Sequence, residues 1–162
     1  MSARSTLRIK IEGEQNPPSP YQDQIRHTAK SVDLTVLPGD LTNQFSKLYV
    51  ETGTIPGAGS TDIDLQSDLD RYGNALSLTD VALIYISSDS TSTGTLQVDA
   101  GAANGFTNLL STSAAVKLSP GDFLIVGALT ADNLAVSGTN KVITLSALVG
   151  SVDYTIHGWG RV

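Results

Sequence analysis

Four groups of residues in this chain carry side chains capable of chemistry: two histidines, a run of aspartates, the serines and a glycine-rich segment. A catalytic or metal-binding imidazole needs partners held within reach. His27 follows a proline stretch and His157 alternates with Thr155 and Trp159, but neither has a second histidine nearby or a Glu-x-x-His spacing. Both read as surface or interface residues. Asp62, Asp64, Asp68 and Asp70 in "TDIDLQSDLD" form the best candidate for a hard cation such as calcium, which wants several carboxylate oxygens. Gln66 and Ser67, however, fall where a calcium loop would need further ligands and a sharp-turn glycine. Asp62 and Asp64 share one side of an extended segment with Ile63 and Leu65 on the other, as in the solvated face of a half-buried edge strand. No Gly-x-Ser-x-Gly elbow or Ser-x-x-Lys signature frames a nucleophilic serine. "GTIPGAGSTD" lacks the Lys-Ser/Thr ending of a phosphate loop. The expectation is a chain without catalysis, metal or cofactor.

The aromatic residues Tyr21, Tyr49, Tyr72, Phe106 and Trp159 remain as candidates for contact chemistry, lining a sugar groove or anchoring a subunit interface. Trp159 stands on the polar side of the last alternating segment, where an edge-of-core tryptophan is an equal alternative.

The elements that must position these groups are strands. "TLRIKIEGE" sets Leu7, Ile9 and Ile11 against Arg8, Lys10 and Glu12, the two-residue period of a half-buried strand. Pro17, Pro18 and Pro20 then remove backbone donors and favour an extended linker or arm. From residue 31 onward come Val32, Leu34 and Val36, then "SKLYVETGTI", "ALSLTDVALIYISS", "TLQVDA", "AAVKLSPGDFLIVGAL", "NLAVSGTNKVITLSALVG" and "SVDYTIHGWGRV". Within these, "VALIYI" is apolar on both sides, as in a strand covered twice. One short helical turn is expected near Asp68 to Tyr72, and "GAANGFTNLL" reads as a loop anchored by Phe106. Nine or ten short strands, separated by Gly- and Pro-rich turns, predict an antiparallel β-sandwich or barrel. The domain reading is residues 1–30 as an N-terminal strand and Pro-rich arm, and residues 31–162 as a single β-sandwich.

Composition agrees. Charged residues make up 16% of the 162, below the usual ~25%, and cysteine is absent. No run approaches the length needed to span a bilayer as a helix, and no apolar leader is visible at the N-terminus. A pI near 4.6 disfavours nucleic acid as a partner. Residues 1–30 hold five basic and three acidic residues, whereas residues 31–162 hold five basic and thirteen acidic. A mildly basic arm on an acidic body suits docking on an acidic neighbour or on another copy; a solvated tail is the plain alternative.

"LDRYGNALSLTDVALIYISS" and "LSPGDFLIVGALTADNLAVSGTNKVITLSAL…SVDYTIHGWG" together resemble small β-rich proteins from the structural gene clusters of tailed bacteriophages. The shared pattern is a Leu-x-x-x-Gly-x-x-Leu lead into a "VALIYI"-type strand and a polar strand pair. A Pro-Gly turn opening an apolar strand follows, then a Val-Ser-Gly-Thr hairpin and a final alternating strand. It covers roughly residues 65 to 160. The resemblance implies a jelly-roll-like virion component, a capsid decoration (cement) protein. It would sit as a homotrimer on the outer surface of the head, over junctions between capsomers of the major capsid protein. On that reading the interface residues are Leu7, Ile9, Ile11, Pro17, Pro18, Tyr21, Arg26 and Trp159, with no nucleic acid and no membrane as partner. A head-fibre, tail or host-glycan-binding β-sandwich module is the alternative.

Overall fold

Where β-branched residues alternate with polar ones, the chain pairs into strands almost throughout. The computed structural model describes residues 5–15, 25–39, 44–70, 72–128 and 134–162, with the first two strands described by their backbone. Eleven strands and no helix occur among these residues, so the chain is all-β as its composition indicates.

Two compact units divide it, Met1–Leu37 and Pro38–Val162. In the first, β1 (Ser5–Gln15) and β2 (Ile25–Pro38) pair antiparallel, with Leu7 opposite Leu34, Ile9 opposite Val32, and a register shift between Ile11 and Gly13. Val32, Leu34 and Val36, expected to open the sandwich, belong instead to the partner of β1. These compact units meet after Leu37, whereas the proline-marked change of composition lies before residue 30. The prolines themselves lie outside the described residues.

The second unit holds β3 (Gln44–Phe45), β4 (Lys47–Ile55), β5 (Ser60–Asp64), β6 (Asp80–Ser88), β7 (Leu96–Asp99), β8 (Ala115–Leu118), β9 (Phe123–Gly127), β10 (Val142–Ala147) and β11 (Val152–Arg161). From β4 onward the strands form two four-stranded antiparallel sheets, in the orders β4-β11-β6-β9 and β5-β10-β7-β8. Counted from β4, the first strand pairs with the eighth, the second with the seventh, the third with the sixth and the fourth with the fifth. Tyr49, Ile84, Ile86 and Ile156 from one sheet meet Ile63, Leu96, Val98 and Leu145 from the other in a single buried cluster. That shared core makes the unit a β-sandwich. Burying such side chains stabilises by about 1.5–3 kcal/mol each relative to exposure. The apolar run "VALIYI" lies in β6, an inner strand flanked by β11 and β9: Ile84 and Ile86 pack into the core between the sheets, and Leu83 and Tyr85 lie on the outer face among side chains of the neighbouring strands.

Three local expectations change. Among the described residues from Asp68 to Tyr72 no helical turn forms. The Asp70 carboxylate accepts hydrogen bonds from the Tyr72 and Asn74 backbone N–H groups at 2.8 and 2.9 Å, Gly73 takes a positive φ, and Leu69 bridges Ala75. A short aspartate side chain here outcompetes the helix for the backbone donors. The two strands about Pro120-Gly121-Asp122 exist, but β8 pairs with β7 and β9 with β6, so this turn crosses between sheets. Of the pair expected in "NLAVSGTNKVITLSALVG", β10 alone forms among the described residues; before it, Asp80–Ala135 and Ser137–Asn140 make isolated bridges.

Candidate interface and binding face

The two sheets present different outer faces. On the β5-β10-β7-β8 sheet, Asp62, Asp99 and Lys117 alternate with the buried Ile63, Val98 and Leu118, giving the polar exterior of an ordinary soluble strand set. The β4-β11-β6-β9 sheet differs. Its register lines up three consecutive rows across four strands: Thr52, Thr155, Ser87 and Phe123; then Val50, His157, Tyr85 and Ile125; then Leu48, Trp159, Leu83 and Gly127. None of the twelve is Asp, Glu, Lys or Arg.

Rings dominate the middle of this face. Phe123 stacks on Tyr85 with centroids 6.1 Å apart and planes at 26°. Tyr85 meets His157 edge-on at 5.8 Å, and His157 lies 5.8 Å from Trp159. Offset and edge-to-face geometries of this kind add about 0.5–1.5 kcal/mol beyond burial and hold each ring in place. Phe123 is 61% exposed and Val50 39% exposed, whereas Tyr85, His157 and Trp159 are half-buried. Uncharged and aromatic, the surface has the composition of an interface core.

Past the first row the same face turns polar. Thr52, Thr54, Asp89, Asp153 and Thr155 line a cleft of about 360 Å³. The Thr54 hydroxyl donates to Asp153 Oδ1, and Asp89 Oδ1 accepts from the Thr91 N–H at 2.8 Å and its hydroxyl at 2.7 Å. The Thr91 bonds hold the Asp89 carboxyl below the usual carboxylate range.

Of the interface residues expected from sequence, Trp159 joins this aromatic row. Leu7, Ile9, Ile11 and Arg26 fall on the β1–β2 hairpin, known by backbone alone, with Arg26 opposite Glu14. Pro17, Pro18 and Tyr21 lie outside the described residues. Of the aromatics weighed for a contact surface two are buried, Phe106 as the anchor of its loop. Phe106 is fully covered, and Tyr49 is 3% exposed on the inner side of β4, where its hydroxyl donates to Glu51. The Tyr154 hydroxyl donates to the same carboxylate, lying across Gly53, where a Cβ would come within 2.9 Å of the ring. Burial and then the Glu51 carboxylate push both phenols far above their ordinary range. Tyr72 is exposed as expected, whereas Phe123 and Tyr85 were not singled out from sequence. Alternation does put Tyr85 on the opposite side from Ile84 and Ile86, and Phe123 opposite Leu124; what it does not convey is that β9, β6 and β11 lie side by side.

The aspartates of "TDIDLQSDLD" serve the fold. Asp62 accepts from Thr144, Asp68 accepts the Asp64 N–H at 2.8 Å, and Asp70 pairs with Lys47 at 3.2 Å. Asp64 pairs with Lys141 at 2.7 Å and caps the following turn. Among the described residues no group of three or more His, Cys, Asp or Glu converges as a metal centre does. Burial raises the Asp64 carboxyl, but hydrogen bonds from Lys141 and from the Gln66 and Ser67 N–H groups outweigh it and hold it below its usual range. A depressed folded-state pKa contributes stability that is present above the unfolded pKa of ~3.9 and is lost as pH falls through the folded value. Wild type is therefore expected to exceed Asp64→Asn in melting temperature by a constant margin above about pH 5, with the margin closing below about pH 4. A margin independent of pH would show that the carboxylate charge plays no part.

No protein-family model matches the chain, and no curated protein matches it.

Proposed function

We propose that the chain is a non-enzymatic structural protein of a tailed-bacteriophage particle, a decoration (cement) protein that binds the outside of the head and stabilises capsomer junctions. The resemblance over residues 65 to 160 motivates the reading. The nested pairing of the eight sandwich strands supports it, because first-with-last pairing is the connectivity of a jelly roll, an architecture used by viral shells.

The observation that carries most weight is the separate hairpin. β1 lies at the edge of its sheet, and an eleven-residue edge strand presents backbone N–H and C=O groups ready to pair with another chain. Few-stranded units are marginal in water by themselves and gain from a neighbour. Strand addition there would join the copies of a homotrimer or bind one copy to the major capsid protein, with side chains at alternate positions setting specificity. A symmetric trimer then engages three sites at once, so a weak contact becomes tight.

Cryo-electron microscopy of the parent virion tests the reading: sandwich density over capsomer junctions on the head is expected, and density confined to tail or fibre would overturn it. Removing residues 1–37, which form a unit distinct from the sandwich, is expected to weaken binding to purified heads by about 10²-fold or more, the scale of lost multivalency. Circular dichroism of the shortened protein separates lost docking from lost folding. Undiminished head binding would remove the hairpin from the mechanism.

A further inference from the structure

The outer face of the β4-β11-β6-β9 sheet joins two chemistries: a row of aromatic rings and a cleft of hydroxyls and carboxylates. We infer that this face is a carbohydrate-binding platform for neutral oligosaccharides, independent of where on a particle the protein sits. A pyranose ring has an apolar C–H face and a rim of hydroxyls. Its C–H face suits the exposed Phe123 ring, stacked on Tyr85 and 61% accessible. Its hydroxyls suit Asp153 and Asp89, which lie across Thr155 and Ser87 on the adjoining strands of the same face.

Both carboxylates are held before any ligand arrives. Asp153 uses one oxygen for the Thr54 hydroxyl, and Asp89 uses one for Thr91. In each, the other oxygen has no protein hydrogen bond among the described residues, which leaves accepting capacity at the cleft that both residues line. A sugar hydroxyl donating to an ionised carboxylate makes the stronger, charge-assisted bond. Because those partners are already ordered, binding costs little side-chain entropy. A cleft of about 360 Å³ has the volume for one to two sugar units, with further units running along the rings toward His157 and Trp159. The same two carboxylates set specificity. With no Lys or Arg in the three rows or the cleft, sialylated and uronic-acid glycans meet like charge and are disfavoured.

Trp159 is the single tryptophan of the chain and stands in the ring row, so its fluorescence reports ligand lying along the rings, and calorimetry reports occupancy of the cleft. The test titrates the full-length protein with cellotetraose, maltotetraose, mannotetraose and lacto-N-tetraose, alongside sialylated lacto-N-tetraose, by Trp159 emission and calorimetry. Saturable binding of at least one neutral tetrasaccharide is expected, with the sialylated form at least tenfold weaker. Phe123→Ala, at a largely exposed position, is expected to weaken binding by about fivefold to tenfold, the scale of one aromatic contact, with the β-sheet circular dichroism retained and the melting temperature lowered only by the loss of the Tyr85 stack. Asp153→Asn, which keeps an oxygen for Thr54, is expected to weaken neutral binding and to reduce discrimination against the sialylated form. No saturation by any of the four neutral probes would overturn the inference, as would binding unchanged in both variants or a preference for the sialylated glycan.

Discussion

Replacing Arg161 by methionine is expected to destabilise the sandwich by about 3–5 kcal/mol, because it removes the guanidinium that a buried carboxylate faces. Arg161 is 2% exposed and Asp80 is 3% exposed, and the guanidinium donates to Asp80 directly and to the Ala128 carbonyl at 3.4 Å. The two residues face each other as cross-strand partners, one at the end of β11 and one at the start of β6. A domain of this size has a total stability of about 5–15 kcal/mol, so the loss would remove a third or more of it in most of that range. Urea unfolding of the variant measures the effect as a fall in midpoint. The double variant Asp80→Leu with Arg161→Met is expected to recover most of the loss, since exchanging a buried ion pair for apolar groups is often neutral. If the single variant cost under about 1 kcal/mol, the range of an exposed pair, the pair would have to be solvated in solution.

Phe106→Ala is the second large effect, expected to cost about 3–5 kcal/mol through lost burial and the cavity left behind. Phe106 sits in the loop between β7 and β8, outside any strand, yet its side chain is fully buried in the core shared by the two sheets. Its backbone N–H donates to the Val142 carbonyl at 2.7 Å, and its own carbonyl accepts the Leu109 N–H at 3.1 Å. The preceding Gly105 is held so closely that a Cβ there would fall 1.8 Å from the Ala100 carbonyl oxygen. Removing the ring should therefore loosen the whole loop as well as the core. Hydrogen exchange is expected to show lost protection at Leu109 and Leu110 together with the lowered global stability. Protection retained at those amides would mean that the loop is anchored without Phe106.

How far the sequence carried depended on the range of the physics involved. Period-2 alternation is a local property, so β1, β7 and β11 and the buried sides of Leu96, Val98, Val152, Tyr154 and Ile156 were legible without a structure. Turn chemistry is also local, and Pro120-Gly121-Asp122 marked the end of β8 and the start of β9 correctly. Partnership between strands is not local. The same alternation in Val32, Leu34 and Val36 fits a sandwich strand or a hairpin partner, and only the pairing with β1 decided between them.

The candidate face shows this limit most clearly. Sequence alone picked Trp159 for its place on the polar side of an alternating strand, and Phe106 and Tyr49 for being aromatic. Burial of the last two came from the second sheet packing over them, which no spacing within a strand reports. Nothing in the local spacing of Arg161 marks it as half of a buried pair; the β6–β11 register sets Asp80 opposite it. Phe123, Tyr85, His157 and Trp159 come from three strands spread over residues 85 to 159, and nothing in any one segment marks the row they form. By itself the sequence determined an all-β chain, the inward side of most strands and the absence of local motifs for a reaction. Tertiary structure decided which strands are neighbours, and with that which rings, hydroxyls and carboxylates share a surface. A strand's two faces follow from covalent geometry, whereas its neighbours follow from the lowest free energy of the whole core.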